Sequence, residues 1–134
     1  MQTIYPCLWF DGVAKEAATY YCNIFPQAII TSQNSMVTMW SIGDYQFMGL
    51  NGGNHFKFNE AVSFVITCKD QAEIDHYWNH FVNDGGSEGR CGWCKDKYGL
   101  SWQVIPTNLG SLMSQSSNSS EVLVKMNKII ISAF

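Results

Sequence analysis

The sequence predicts an α+β fold built from two β-α-β-β-β modules, and three observations predict it. Strand-like and helix-like runs follow one another in the same order twice, offset by a little under half the chain. A glycine- and asparagine-rich connector, Asn51-Gly52-Gly53-Asn54-His55-Phe56-Lys57-Phe58-Asn59, separates the repeats. The chain has 134 residues, 46% of them hydrophobic, which suits one domain or two small modules sharing a core.

In the first module, residues 4–10 read as a strand, with Pro6 marking an edge or a start and Asp11-Gly12 a break. Ala14, Ala17, Ala18, Tyr21, Cys22 and Phe25 then recur at helical spacing until Pro26 closes the run. Residues 29–32, 35–42 and 45–50 read as short strands, the last two joined by the tight-turn pair Gly43-Asp44. The module spans about 3–52, and a second one about 58–109. There Val62 to Cys68 alternates like a strand, and Asp70 with Glu73 has the spacing of a capping box. Ile74, Tyr77, Trp78, Phe81 and Val82 form one helical stripe, which Gly85-Gly86 stops. Cys91 to Pro106 reads as a hairpin turning at Lys95-Asp96-Lys97 and Gly99. Each module alone would expose one face of its sheet; two modules facing each other would bury those faces and leave a cleft. Residues 110–120 read as a serine-rich linker, and 121–134 as an amphipathic segment that docks either on its own domain or on a second subunit.

A net charge of −3 argues against nucleic-acid or anionic-membrane partners, which need a basic face. The start lacks a secretion-signal pattern and no run reaches the length of a membrane span, so a cytoplasmic protein is expected. Five cysteines make no disulfide framework. Cys7, Cys22 and Cys68 lie among apolar residues and read as packing groups. Cys91 and Cys94, three apart on a strand, point to opposite faces and make a poor dithiol, which leaves Cys91 as a single cavity-facing thiol. His76 and His80 sit off the helix stripe and read as surface residues. His55, in the connector, is the general-base candidate. Trp9, Phe58, Phe64, Trp93 and Trp102 can wall an apolar cavity whose polar tips are Asn51, His55 and Gln103.

Several separated stretches, in order, resemble one family. They are Tyr5-Pro6-Cys7-Leu8-Trp9-Phe10-Asp11-Gly12; Asn51-Gly52-Gly53 with His55 to Ala61; Asp75 with Tyr77-Trp78; and Cys91-Gly92-Trp93 with Lys95 to Gly99 and Ser101 to Pro106. Together they are similar to the PhnB-like proteins of the vicinal oxygen chelate superfamily, relatives of glyoxalases and bleomycin-resistance proteins that often carry a 3-demethylubiquinone-9 3-methyltransferase label. The resemblance implies curved mixed sheets around a shared cavity, the glyoxalase/bleomycin resistance/dihydroxybiphenyl dioxygenase fold, and commonly a homodimer. Metal-using members draw His, Glu or Gln ligands from positions that fall here on Tyr5, Met48 or Leu50, Ala61 and Gln103. Only Gln103 can ligate, so no metal site is expected. A glycine-rich turn leading from a strand into a long helix is absent, so methyl transfer from a nucleoside-type cofactor is not expected either, nor is any other cofactor.

The reading is a protein that binds a small organic molecule between its sheets. The alternative is an isomerase, lyase or transferase acting through His55 or Cys91, with Gln103 orienting the substrate; a third is an interaction module whose tail engages another subunit.

Overall fold

A computed structural model describes residues 2–134, which divide into two compact units at Lys57/Phe58. Each unit is built on one four-stranded mixed sheet and one principal helix.

In the first unit the elements run β1 (Cys7–Phe10), α1 (Ala14–Ile24), β2 (Ala28–Gln33), β3 (Val37–Ile42) and β4 (Tyr45–Asn51). The sheet order is β1-β4-β3-β2, with β1 parallel to β4 and the other pairs antiparallel. Strand alternation decides which residues meet the helix. Leu8, Phe10, Thr38, Trp40, Phe47 and Gly49 are buried with Ala14, Ala17, Ala18 and Tyr21 of α1. Trp40 stacks between Tyr21 and Phe47, with centroids 5.9 and 5.6 Å away. The small residues of α1 let the helix approach the sheet, and a Cβ at Gly49 would meet Trp40, Ala14 and Phe10 within 3.4 Å. Cys7 departs from expectation: it is exposed, because the odd-numbered residues of β1 face away from α1.

The second unit repeats the order with β5 (Ser63–Cys68), α2 (Gln71–Asn83), β6 (Ser87–Glu88), β7 (Trp93–Lys95) and β8 (Ser101–Pro106). Its sheet order is β5-β8-β7-β6, again with the first and last strands parallel. Asp70 caps α2 as its spacing predicts, its Oδ1 accepting from Glu73 N at 2.9 Å, while Glu73 Oε1 accepts from Lys69 N. Ile74, Trp78 and Phe81 bury the helix against the sheet, and Gly85 ends it at φ +79°.

Beyond β8 the structure holds regular elements where a serine-rich linker is expected. Short helices α3 (Leu109–Ser114) and α4 (Ser119–Val124) occupy the serine-rich stretch, joined where buried Ser119 donates its hydroxyl to the Leu112 carbonyl at 3.1 Å. Residues 126–131 then form a strap on the second unit. Cys91 N and Gly92 N donate to the carbonyls of Met126 and Asn127, and the Gln71 side-chain amide grips Ile129 O and Ile131 N. Ile129 is fully buried, Lys128 pairs with Asp75 at 3.0 Å, and a final 3-10 turn covers Ile131–Ala133. Ile131 N donates to the Gln71 side chain and not to the Asn127 carbonyl four residues back, so the apolar spacing of 121–134 belongs to a docked strap beyond Val124. The tail therefore docks in cis. Among the described residues no helix is long and apolar enough to cross a membrane.

Candidate binding faces and a cleft in the second unit

The side of each sheet turned away from its helix is where the remaining side chains collect. On the first sheet, register sets Cys7 beside Met48, Trp9 beside Leu50, Met39 beside Met48 and Val37 beside Leu50. All but exposed Cys7 are half-buried, which makes a soft, uncharged face. On the second sheet the equivalent face carries Val65 and Ser63 of β5, Trp93 and Lys95 of β7, and Ser101, Gln103 and Ile105 of β8. Trp93 lies opposite Gln103, and Lys95 opposite Ser101. The Gln103 amide donates to Ser63 Oγ at 2.9 Å.

Trp93, Lys95 and Ser101 also line a cleft of about 300 Å³, with Glu60 and Glu88 at its sides. That volume sits at the small end of ligand sites. Lys95 forms an ion pair with Glu60, and this hydrogen bond holds the Glu60 carboxyl below its usual range. Glu88 Oε1 accepts from Trp78 Nε1 at 3.4 Å. Ser101 is 1% exposed, and its Oγ has no hydrogen-bond partner among the described residues.

The other residues singled out by sequence fall elsewhere. Trp102 is on the helix-covered face, stacked on Phe81 at 5.0 Å, with half-buried Phe64 5.6 Å away on the same side. Trp102 and Phe64 thus belong to the packing beneath α2, because β5 and β8 run in register and their even-numbered residues share that side. Asn51 braces the first unit: its Oδ1 accepts from Ala14 N at 2.9 Å, capping α1 from the end of β4, and its Nδ2 donates to Ser35 O. Trp9 donates its indole N–H to Gly53 O at 2.8 Å and meets Phe56 edge-on at 4.8 Å. A Cβ at Gly52 would land on the Trp9 ring, so this glycine is required by close approach. His55 is exposed, with Phe56 its ring neighbour at 6.5 Å, and Phe58 is half-buried. Cys91 is half-buried at φ +58°, held beneath the strap by its amide. Cys94 is buried on the helix side, where loss of water and then Asp96 push its thiol up to about 12; it stays protonated and unreactive at neutral pH. His76 and His80 are exposed, with rings 4.4 Å apart.

The sequence reading has Asp96 only as a turn residue and misses its role as a buried acceptor. It is 2% exposed; Oδ1 accepts from Tyr98 N and Leu100 N, and Oδ2 from Trp102 Nε1 at 2.9 Å. One carboxylate thus shapes the hairpin turn and fixes the indole behind it. The available signal was an aspartate two residues before one turn amide and six before a tryptophan.

The superfamily metal does not fit these residues. Tyr5 and Ala61 are exposed beside the strands, Met48 and Leu50 offer no hard donor, and Gln103 is left as the sole ligand type at those positions. Among the described residues no group of three or more His, Cys, Asp or Glu side chains is placed to hold a metal ion.

Two mixed sheets with strand orders 1-4-3-2 and 5-8-7-6, each backed by a helix, define the architecture of the vicinal oxygen chelate superfamily, with its glyoxalases and its bleomycin and fosfomycin resistance proteins. Within that class the chain belongs to the 3-demethylubiquinone-9 3-methyltransferase family, the PhnB group, whose model matches residues 2–105. It is similar to a PhnB protein from Bacillus cereus, with 26% identity and a TM-score of 0.69 over 78% of this chain and 99% of that one. The fold is shared with the fosfomycin resistance protein FosX from Listeria monocytogenes, a complex with Mn(II) and sulfate, at 11% identity and TM-score 0.64 over 85% of this chain and 96% of that one. It is shared too with lactoylglutathione lyase from Agrobacterium tumefaciens, at 17% identity and TM-score 0.51 over 81% and 96%. No curated protein sequence gives a significant match.

Proposed function

We propose that this protein binds a small organic molecule against the open face of its second sheet, without the divalent metal of its metal-using relatives. The observation that carries the reading is half-buried Trp93, which lines a cleft of about 300 Å³ together with Ser101 and has Gln103 opposite it on the same face of the sheet. An indole supplies a flat apolar wall, and an amide and a hydroxyl supply sparse polar contacts, the usual composition of a small-molecule site. The metal-free part is supported by the donor set, in which side chains unable to ligate stand where relatives place ligands. The homodimer and the cytoplasmic location implied at the level of sequence belong to the same proposal.

A thermal-shift screen of small aromatic and aliphatic compounds tests it. A ligand at 100 times its dissociation constant stabilises the fold by about 2.7 kcal/mol. Trp93→Ala and Gln103→Ala are expected to weaken the hits about tenfold or more, equivalent to roughly 1.4 kcal/mol. Hits indifferent to both substitutions defeat the proposed face. Elemental analysis of untagged protein addresses the metal: a stoichiometric ion that is lost in Gln103→Ala would remove that half of the proposal.

A further inference from the structure

The outer face of α2 carries two imidazoles that neither the core nor the proposed cleft uses. His76 and His80 are both exposed and one helical turn apart, with ring centroids 4.4 Å from one another. Two imidazoles that share one divalent ion at right angles, through ring nitrogens about 2.1 Å from it, have centroids about 4.5 Å apart, so the pair already has the spacing of a chelate. A second observation fixes the ring of His80. Its Nδ1 lies 2.6 Å from the His76 carbonyl oxygen, which can only accept, so Nδ1 is the donor and the lone pair of the neutral ring stands on Nε2. A backbone carbonyl that takes the other ring N–H is the usual outer support of a metal-ligating histidine, because it sets tautomer and ring orientation together. The His76 ring meets Tyr77 edge-on at 4.8 Å, which restrains it beside its partner. Glu73, three residues before His76, and Asp84, four after His80, are engaged elsewhere: the first accepts from Lys69 N, and the second faces Lys97 at 3.7 Å.

We infer that His76 and His80 form a two-histidine site on α2 for a divalent ion of the nickel, copper and zinc class, with water at its remaining positions. Imidazole suits these ions, whereas Mg(II) and Ca(II) call for oxygen donors. Two protein ligands fall short of the three that catalytic zinc keeps, so the site takes up and releases an ion and does not activate a substrate. It involves neither Gln103 nor the open face of the second sheet, and it stands independently of the small-molecule reading.

Calorimetric titration of the full, untagged chain with Ni(II), Zn(II) and Mg(II) tests the site. One Ni(II) per chain is expected, with Zn(II) competing for the same place and Mg(II) giving no binding. His76→Ala and His80→Ala should each weaken Ni(II) about a hundredfold, since the second nitrogen engages as an intramolecular event. Substitution of the chain's only other histidine, His55→Ala, should leave the affinity unchanged. Both α2 histidines are exposed and alanine is the best helix former, so the variants are expected to keep their helix content by circular dichroism. Absence of Ni(II) binding overturns the inference, as does an affinity that survives either α2 substitution or is lost in His55→Ala. A change of only about twofold in each α2 variant, the behaviour of two independent imidazoles, overturns it as well. Ni(II) that is lost in Gln103→Ala and kept in the α2 variants overturns both this site and the metal-free half of the proposed function. Loss in the α2 variants with Gln103→Ala unaffected supports the site and leaves the proposed function untouched.

Discussion

The two modules share a strand order and a helix-side core but differ on the face turned away from the helix. In each, large rings stack under the helix: Tyr21, Trp40 and Phe47 in the first, Phe81 and Trp102 in the second. On the open side the first sheet offers Cys7, Trp9, Val37, Met39, Met48 and Leu50, with no charge among them. The second offers Ser63, Lys95, Ser101 and Gln103 around Trp93. Packing against a helix restrains one face of a sheet tightly, since even a methylene is felt there. On the other face the two repeats carry different side-chain chemistry.

The sharpest way to break this comparison is to cut into both cores. Trp40→Ala and Phe81→Ala, each on a fully buried ring, are expected to cost about 3–5 kcal/mol, measured by urea denaturation. A cost below about 1 kcal/mol for either would mean that the corresponding helix-side stack is misplaced. The strap separates the modules next, because only the second has one. Ile129→Ala removes a fully buried side chain that touches Gly92, at an expected cost of about 2–4 kcal/mol. The same variant should speed amide exchange at Cys91 and Gly92, whose N–H groups donate to the strap. Unchanged exchange there would show that the strap does not hold this corner.

The turns give a smaller contrast. Asp96→Ala leaves the Trp102 indole N–H buried without its acceptor, and about 2–3 kcal/mol is expected. Asp44→Ala, at the exposed turn between β3 and β4, should stay within about 0.5 kcal/mol. Equal effects at the two aspartates would contradict the assignment of Asp96 as the organiser of its hairpin.

How much of this was legible follows from which forces act locally. The α2 stripe, the Asp70 cap and the Gly43-Asp44 turn depend on neighbours within a few residues, so spacing alone revealed them. That Trp93 and Trp102, on neighbouring strands, lie on opposite faces follows from the pairing of Trp102 with Cys94, a register the strand period alone does not give. Both were therefore read simply as cavity aromatics. Asn51 could not have been read as the cap of α1, since its partner amide is 37 residues away. The strap was hidden for the same reason: Val122, Leu123, Met126, Ile129, Ile130 and Phe134 have roughly helical spacing, and the amides of Cys91 and Gly92 and the Gln71 side chain hold residues 126–131 as a strap instead. In the cleft, Trp93 and Gln103 were visible as types, whereas the pairing of Lys95 with Glu60 required the fold.

The smallest effect concerns charge on the strap. The Lys128 hydrogen bond, and after it that of Gln71, holds the Asp75 carboxyl below its ordinary range. A carboxyl with a lowered folded pKa binds its proton more weakly when folded than when unfolded. Its contribution is therefore present above the unfolded value of about 4 and disappears as pH falls through the folded value. The Asp75 side chain is 43% exposed, so solvent screening limits the contribution to about 0.5 kcal/mol. Lys128→Met should lower stability by that small amount at pH 7 and by progressively less as pH falls below about 4, with the gap shrinking in 1 M salt. A gap that grows in acid would mean that Lys128 acts on the strap through something other than Asp75. The strap's hold on the second module would then rest on Ile129 and the Gln71 side chain alone, with charge playing no part in what sets that module apart from the first.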